Sequence, residues 1–559
     1  MRQYKKHIVF ALLLCLCATW SILSDKSPSG FIDLSRYNLI IPQDRLNEAD
    51  SITYFDVLNA QPQAHASAIV NVSQVSDADF MLLYFAGSRE GARDVGIYQS
   101  FFYMDKNDSS IESRKNADSQ SLSIPHTENT DSVAASWHLD SKSVGHWSEP
   151  QLLLSAPMLS NLSGKFIKKL GNPVSFVDTQ GRVHLFVVGV SMGGWATSKI
   201  YWLQLESTPY NGVDSHIKIS QSKALHDVDS KTHIDLNLHS QKASQHNNLR
   251  HLRYVKELHL SPFLNFSHLV RTPPMLKSDG GFILPIYHEL LSKYPLLLDF
   301  SSALTLQSSM RPTYLQSQLQ PSFVPLDLHS SVGVYRNHKA YENTLFVSEC
   351  GVKCAEAKPS NLKNYDSSSV LFNALDSVFL LHNQPNVQGG NNRAELWLYE
   401  LKKESLLDAK IIFVPVLLLD TLPQNEVSYP SVAINDEFVH IAYTYGRKHI
   451  RSALLPKSVL KTLSFQSALE QWDMDKIHKM RVNRKIQENL YRIDNMQNEI
   501  QRELYRAKEY LLEMQDGKIH TDNTSGADEL NELNIDSKSH TGFETSFLHD
   551  TSFVCRSCA

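Results

Sequence analysis

Charge of one sign is scarce in this sequence. Its 59 acidic residues nearly offset 54 basic ones, leaving a net charge of −5 over 559 residues. Such a chain lacks the basic excess that a phosphate backbone attracts, which argues against a nucleic-acid partner. Long hydrophobic runs are scarce too. Ile8–Leu23 is the longest and falls short of the roughly 20 residues that a spanning helix needs. It follows the basic start Met1–Lys6, so residues 1–24 have the form of an export signal. Cleaved signal peptide and retained membrane anchor both remain open. In either case the bulk of the chain is expected outside the cytoplasm: periplasmic, cell-surface or extracellular.

Cysteine is limited to three close pairs, Cys15/Cys17, Cys350/Cys354 and Cys555/Cys558. The last two suit small disulfides in an oxidising compartment. Isolated pairs fall short of the four ligands of a zinc site, so neither metal nor cofactor is expected. The sequence also has no glycine-rich phosphate loop, no HExxH and no GxSxG. Those absences remove P-loop nucleotide chemistry, zinc-protease chemistry and the serine-hydrolase elbow.

What is present, from Ser51 to Leu455, is a series of short apolar runs separated by Gly, Pro, Asn and Asp. FMLLYFAGS, GRVHLFVVGVS, GGFILPIYHEL, SVFLLHN, AELWLYEL and EFVHIAYTY are examples. Their period is two, with no helical period of any length. Many short strands with turn signals mean a sandwich, barrel or propeller. The span 51–455 is too long for one sandwich and suits six four-stranded blades. The expected fold is therefore all-β, a six-bladed β-propeller with a C-terminal α-helical extension.

Residues 25–50 read as a linker. Polar stretches near 106–131 and 207–248 read as surface insertions, and the histidines of the second lack ligand spacing. Gln466–Met514 has the composition of a helix. Within it Ile486, Leu490, Ile493, Gln497, Ile500, Leu504, Ala507 and Leu511 step alternately by four and three. That seam suits self-association through a coiled coil, and equally an amphipathic helix lying on the propeller. Residues 515–559 have the composition of a disordered tail.

Six stretches carry a family resemblance in chain order. They are HAS with LLYFAGSREGARDVGIY (within 64–98), LGNPVSF with GGW, and NFSHLVRTPPML with GGFILPIYHE. Then come LQPSFVPL with YR, HNQPN with NNRAELWLY, and SYPSVAINDEFVHIAYTYGRKHI. Together they resemble the BNR-repeat, sialidase-like propellers. The resemblance implies a glycan substrate whose terminal sugar carries a carboxylate. In such enzymes arginines clamp that carboxylate through paired charge-assisted bonds. A carboxylic acid protonates the leaving oxygen. A tyrosine is the nucleophile, one of the exceptions to the carboxylate pair.

By motif position the resemblance makes Asp94 the acid/base and Tyr429 the nucleophile. It makes Arg336 and Arg393 two of the clamp arginines. Other positions depart from the family pattern. His65 opens the HAS segment that stands where the first clamp arginine belongs, and Arg89 and Arg271 are the candidates to substitute from elsewhere. Gln320 stands near the usual glutamate partner of the tyrosine and cannot act as a base; Glu289 is the nearest conspicuous acid by motif. The repeat motif itself is worn at SKSVGHW and at SECGVKC, where a Cys350–Cys354 disulfide would close the turn. The expected function is a sialidase-like glycoside hydrolase acting on sialic acid or a related acidic sugar. A non-catalytic glycan-binding propeller and a polysaccharide lyase using a Tyr/His pair remain open, since the fold hosts many functions.

Overall fold

The computed structural model describes Leu12 and residues 31–46, 51–105 except 60, 144–207, 249–386 except 261–264, 391–469 and 474–515. The expected export segment, the insertions 106–131 and 208–248, and the tail from 516 lie outside the described residues. So do Cys15, Cys17, Cys555 and Cys558. The chain divides into two units, one reaching Arg484 and one starting at Lys485.

The first unit contains six antiparallel sheets, the blades of a propeller. Blade 1 holds Gln63–Asn71, Phe80–Gly87 and Gly96–Met104, with short outer strands Gly145–Trp147 and Gln151–Leu154. Blade 2 holds Lys169–Val177, Val183–Val190, Ser198–Ser207 and Leu249–Glu257. Blade 3 starts with a broken strand, His268–Val270 and Met275–Leu276, followed by Phe282–His288, Tyr294–Phe300 and Leu306–Met310. Blade 4 holds Gln318–Pro325, Ser331–Asn337, Thr344–Cys350 and Lys358–Lys363. Blade 5 holds Val370–Ala374, Ser377–Gln384, Glu395–Leu401 and Phe413–Thr421. Blade 6 takes Val427–Ile434, Phe438–Tyr445 and His449–Pro456 from the C-terminal side. Its outer strand, Thr53–Val57, comes from the N-terminal side, with Thr53 opposite Leu454 and Val57 opposite Ile450. That exchange ties the two ends of the ring together.

Blades stack face to face, so their middle strands are buried on both sides and become apolar throughout; every residue of Phe80–Gly87 is buried. The core is correspondingly divided. One hydrophobic cluster fills each blade interface, from blades 1/2 round to blades 6/1. Each fully buried Phe or Leu there contributes roughly 1.5–3 kcal/mol.

Between blades 1 and 2 stands a helix that the sequence pattern does not reveal, Ala156–Ser163. Ser155 caps it by accepting from Met158 N, and Gly164 ends it at φ 66°. Its eight residues are too few to display a helical period. The C-terminal extension is helical, as Lys457–Leu469 and Met474–Gln515. Arg481 pairs with Glu395 (2.9 Å) and Arg484 with Asp420 (2.9 Å), so the start of the second helix is ionically fixed to blade 5. In the second unit the seam residues Ile486, Leu490, Ile493, Ile500 and Leu504 are exposed on a single chain. Cys350 and Cys354 are disulfide-bonded and close the turn at SECGVKC in blade 4. Among the described residues no helix is long and apolar enough to cross a membrane.

Candidate active site

The site grows out of one local device repeated around the ring. The first strands of blades 1, 2, 4 and 6 each carry a bulge, at His65/Ala68, Gly171/Pro173, Leu319/Ser322 and Ser428/Ser431. Three of these bulges hold a non-glycine residue in the left-handed region: Ala66 (φ 56°), Gln320 (φ 43°) and Tyr429 (φ 52°). Such a backbone costs roughly 1–3 kcal/mol per residue and persists only where its surroundings enforce it. Serines supply the enforcement. Ser67 Oγ donates to Tyr429 O (3.0 Å) and Ala442 O (2.8 Å), and Ser431 Oγ accepts from Ile69 N (3.2 Å). Ser322 Oγ accepts from Leu371 N of blade 5 (2.9 Å). HAS, QPS and YPS are thus one motif, which re-aims a side chain and stitches a blade to its neighbour.

Tyr429 is buried, and cations surround it. Arg336 Nη1 donates to its Oη (3.1 Å). The Arg271 and Arg393 guanidinium carbons lie 5.1 and 5.5 Å from its ring centre. Burial pushes the phenol pKa up, but Arg336, Arg393 and a hydrogen bond from Gln320 outweigh it. The result lies below that of an ordinary tyrosine. Gln320 Nε2 also reaches Tyr287 Oη (3.4 Å).

Carboxylates hold the arginines in place. Arg336 Nε donates to Asp366 Oδ1 (2.7 Å), which His338 also approaches (3.2 Å). Arg393 donates to Glu426 Oε2 (3.2 Å) and to the Asp366 carbonyl (2.8 Å). Arg447 joins Glu426 Oε1 to Glu90, each at 2.6 Å. His65 lies against Tyr429, with ring centres 4.3 Å apart; neither buried nitrogen has a hydrogen-bond partner, and Glu426 Oε1 is 3.9 Å from Nδ1. Burial first, then Arg447, Arg393, Arg271 and Arg336, holds its pKa well below normal. His65 is therefore neutral at physiological pH, in a field that favours anions.

The structure brings six of the expected residues together: His65, Arg271, Gln320, Arg336, Arg393 and Tyr429. Arg271 is placed beneath the site, because the Pro273-Pro274 break in blade 3 frees the strand from its ladder. Its Nη1 and Nη2 donate to the carbonyls of Ser67 (3.1 Å) and Pro430 (2.8 Å), so it braces two bulges. Three expected residues make no contact with Tyr429. Asp94 is exposed, and its carboxylate accepts from Ser88 N (2.8 Å) and Ser88 Oγ (2.9 Å), closing its own loop. Arg89 is exposed on that loop. Glu289 acts electrostatically on Tyr287. Sequence reasoning missed Glu90, Asp366, Glu426 and Arg447. A signal existed for two of them. Val427 pairs with Tyr445, so the blade 6 hairpin puts Glu426 and Arg447 at the same end as Tyr429.

Among the described residues no group of His, Cys, Asp and Glu could hold a metal ion. No curated protein matches the chain. Among solved structures, the Hadza microbial sialidase Hz136 aligns at 11% identity over 72% of this chain and 68% of its own, TM-score 0.44. Trypanosoma rangeli sialidase in complex with sialic acid aligns at 10% over 77% and 61%, TM-score 0.42. Penicillium chrysogenum alpha-L-arabinanase complexed with arabinobiose aligns at 8% over 74% and 99%, TM-score 0.39. The sequence itself matches the BNR repeat-like domain over residues 78–441, more than half its length. With six blades closed by their terminal strands, the chain belongs to the BNR repeat-like family and is a sialidase-like β-propeller.

Proposed function

We propose that this protein is a glycoside hydrolase that removes a terminal acidic sugar, sialic acid or a relative, from glycans. One observation carries the reading. A buried tyrosine is held in a left-handed bulge at the centre of the ring, with an arginine on its oxygen and its pKa depressed by arginines. Arg336 and Arg393 bind the sugar's carboxylate and set the anomeric carbon against Tyr429 Oη. The Tyr429 phenolate, its proton already released to water, attacks that carbon, and the glycosidic bond breaks. Asp94, the acid by motif position, gives its proton to the leaving oxygen. Water then releases the sugar from Tyr429, with Asp94 taking a proton back. Ser88 holds the Asp94 carboxyl below its usual range, first through its backbone N–H and then its hydroxyl. Proton donation therefore requires that cap to open, and turnover should favour mildly acidic pH.

A second reading has its own support. His65 lies 4.3 Å from the Tyr429 ring, neutral and without a hydrogen bond, while Gln320 leaves the tyrosine without a carboxylate base. Such a pair fits a lyase that removes a proton beside a uronic carboxylate. The test is release of fluorophore from a sialic-acid ketoside, alongside unsaturated-product absorbance on uronic-acid glycans, with Tyr429→Phe as control. Ketoside turnover lost in Tyr429→Phe supports hydrolysis. Turnover on uronates alone supports the lyase. Saturable binding without turnover on either leaves a glycan-binding propeller and refutes both.

A further inference from the structure

A clamp for a carboxylate needs guanidinium groups with free donors facing the ligand, and the HAS segment supplies none. The two arginines that could replace it from the sequence do not. Arg89 is exposed on its loop. Arg271 is 2% exposed, with each Nη already donating to a main-chain carbonyl and only Nε without a hydrogen-bond partner.

We propose that Arg447 is the third arginine of the clamp, supplied by blade 6, and that Glu90 holds its place until the substrate carboxylate arrives. Arg447 lies in the turn after Phe438–Tyr445, held at φ 58°, and its carbonyl accepts from Ala64 N (3.1 Å) beside His65. It shares one carboxylate with a clamp arginine: Glu426 Oε1 meets Arg447 Nε (2.6 Å) and Glu426 Oε2 meets Arg393 Nη1 (3.2 Å). That bridge fixes the two guanidinium groups side by side. Exposure rises toward solvent, from 14% for Arg336 and 16% for Arg393 to 34% for Arg447. Arg447 therefore stands at the mouth, where an incoming anion meets it first. Its Nη2 has no bond among the described residues, and its Nη1 is held by Glu90 (2.6 Å).

Glu426 and Glu90 differ in kind. Glu426 is 6% exposed and bound by two arginines, so it is part of the scaffold. Glu90 is 38% exposed and makes one bond to Arg447. An exposed carboxylate is cheaply displaced, since water solvates it when it leaves. A ligand carboxylate can take its position on Arg447 and reach Arg336 and Arg393 as well. A neutral sugar cannot displace Glu90, so the arrangement selects for acid.

This inference rests on the reading that the site takes an acidic sugar, and the experiment separates the two. Binding of N-acetylneuraminic acid and of glucuronic acid to the full chain is measured by calorimetry for wild type, Arg447→Gln, Arg447→Lys and Glu90→Gln. Thermal melts report folding. Wild type should bind at least one of the acids. Arg447→Gln should weaken that binding about thirtyfold, as expected for a charge-assisted bond, with Arg447→Lys in between. Glu90→Gln should tighten it several-fold, because the competing carboxylate is gone. If both Arg447 variants fold and bind like wild type, Arg447 is outside the clamp while the acidic-sugar reading stands. If Arg447→Gln does not fold, Glu90→Gln decides: unchanged or weaker binding overturns the placeholder and the clamp with it. If wild type binds neither acid, the acidic-sugar reading fails and takes this inference with it.

Discussion

Replacing Arg271 by methionine separates a brace from a clamp. Arg271 makes two bonds to main-chain carbonyls, Ser67 O at 3.1 Å and Pro430 O at 2.8 Å, and packs 5.1 Å from the Tyr429 ring. Methionine fills much of the same space and bonds to neither carbonyl. Each buried carbonyl left bare costs about 2 kcal/mol. The lost cation–π contact adds about 1 kcal/mol. Against this, burial has brought the Arg271 pKa down to about 10, and removing the charge returns about 3 kcal/mol. The net expectation is a loss of about 2 kcal/mol, small because the guanidinium is itself costly to bury. For a domain this large that is a fall in melting temperature of a few degrees. Urea titration of Arg271→Met against wild type measures it. The functional signature matters more. A brace that sets the bulges at Ser67 and Pro430 should affect Tyr429's position, lowering kcat more than it raises KM. If Arg271→Met is as stable as wild type and only KM rises, Arg271 contacts the ligand and the structural account of it is wrong.

Three further outcomes follow from the described groups. Asp178 is pushed up by burial but pulled to about 2 by His184 and Arg182, below its usual 3.8. A depressed carboxylate stabilises the fold fully above about pH 4, and that contribution is lost as pH falls toward 2; Asp178→Asn should flatten acid unfolding across that window. The Cys350–Cys354 disulfide encloses a very short loop, so removing it by Cys→Ser at both positions should cost only about 2 kcal/mol, read as a modest shift in melting temperature. Asp94→Asn keeps one acceptor for Ser88 and removes the acid. It should leave acidic-sugar affinity within about threefold of wild type and reduce hydrolysis by 100-fold or more, as for loss of a general acid.

The blades were legible in sequence because stacking demands it. A strand covered on both faces must be apolar throughout, and FMLLYFAG could be little else. The ring closure was not. Thr53–Val57 pairs with residues nearly 400 positions away, and nothing in TYFDV announces a partner. Within the site, Arg336, Arg393 and Tyr429 were named by motif, while the bulges that carry Gln320 and Tyr429 were not foreseen. Arg447 and Glu426 depended on hairpin register, which fixes the end of the blade they share with Tyr429. Arg271 was visible as a residue, and its bonds to the bulges at Ser67 and Pro430 were not. Its role follows from the double proline beside it, which removes two N–H donors and lets the strand leave its ladder. For Asp94 the motif position named the residue but not its partner: both its oxygens are engaged by Ser88.

The glutamine at 320 changes what the tyrosine needs. A glutamate there would accept the phenol's proton, and its charge would also raise the phenol's pKa. Gln320 donates a hydrogen bond instead, and with Arg336 and Arg393 it keeps that pKa low. The nucleophile is thus prepared by cations and not by a base. Hydrolysis then requires Tyr429 deprotonated and Asp94 protonated. Yet Ser88 depresses Asp94, which works against its protonated form. The profile of kcat/KM should therefore be bell-shaped, with its limbs set by these two groups. Arg336→Gln tests the account, because it withdraws the first of the charges that lower Tyr429. The alkaline limb should move to higher pH, apart from any loss of clamp affinity in the height of the curve. A limb that stays in place while the height falls would mean that Arg336 binds substrate only, and that some other group takes the proton from Tyr429.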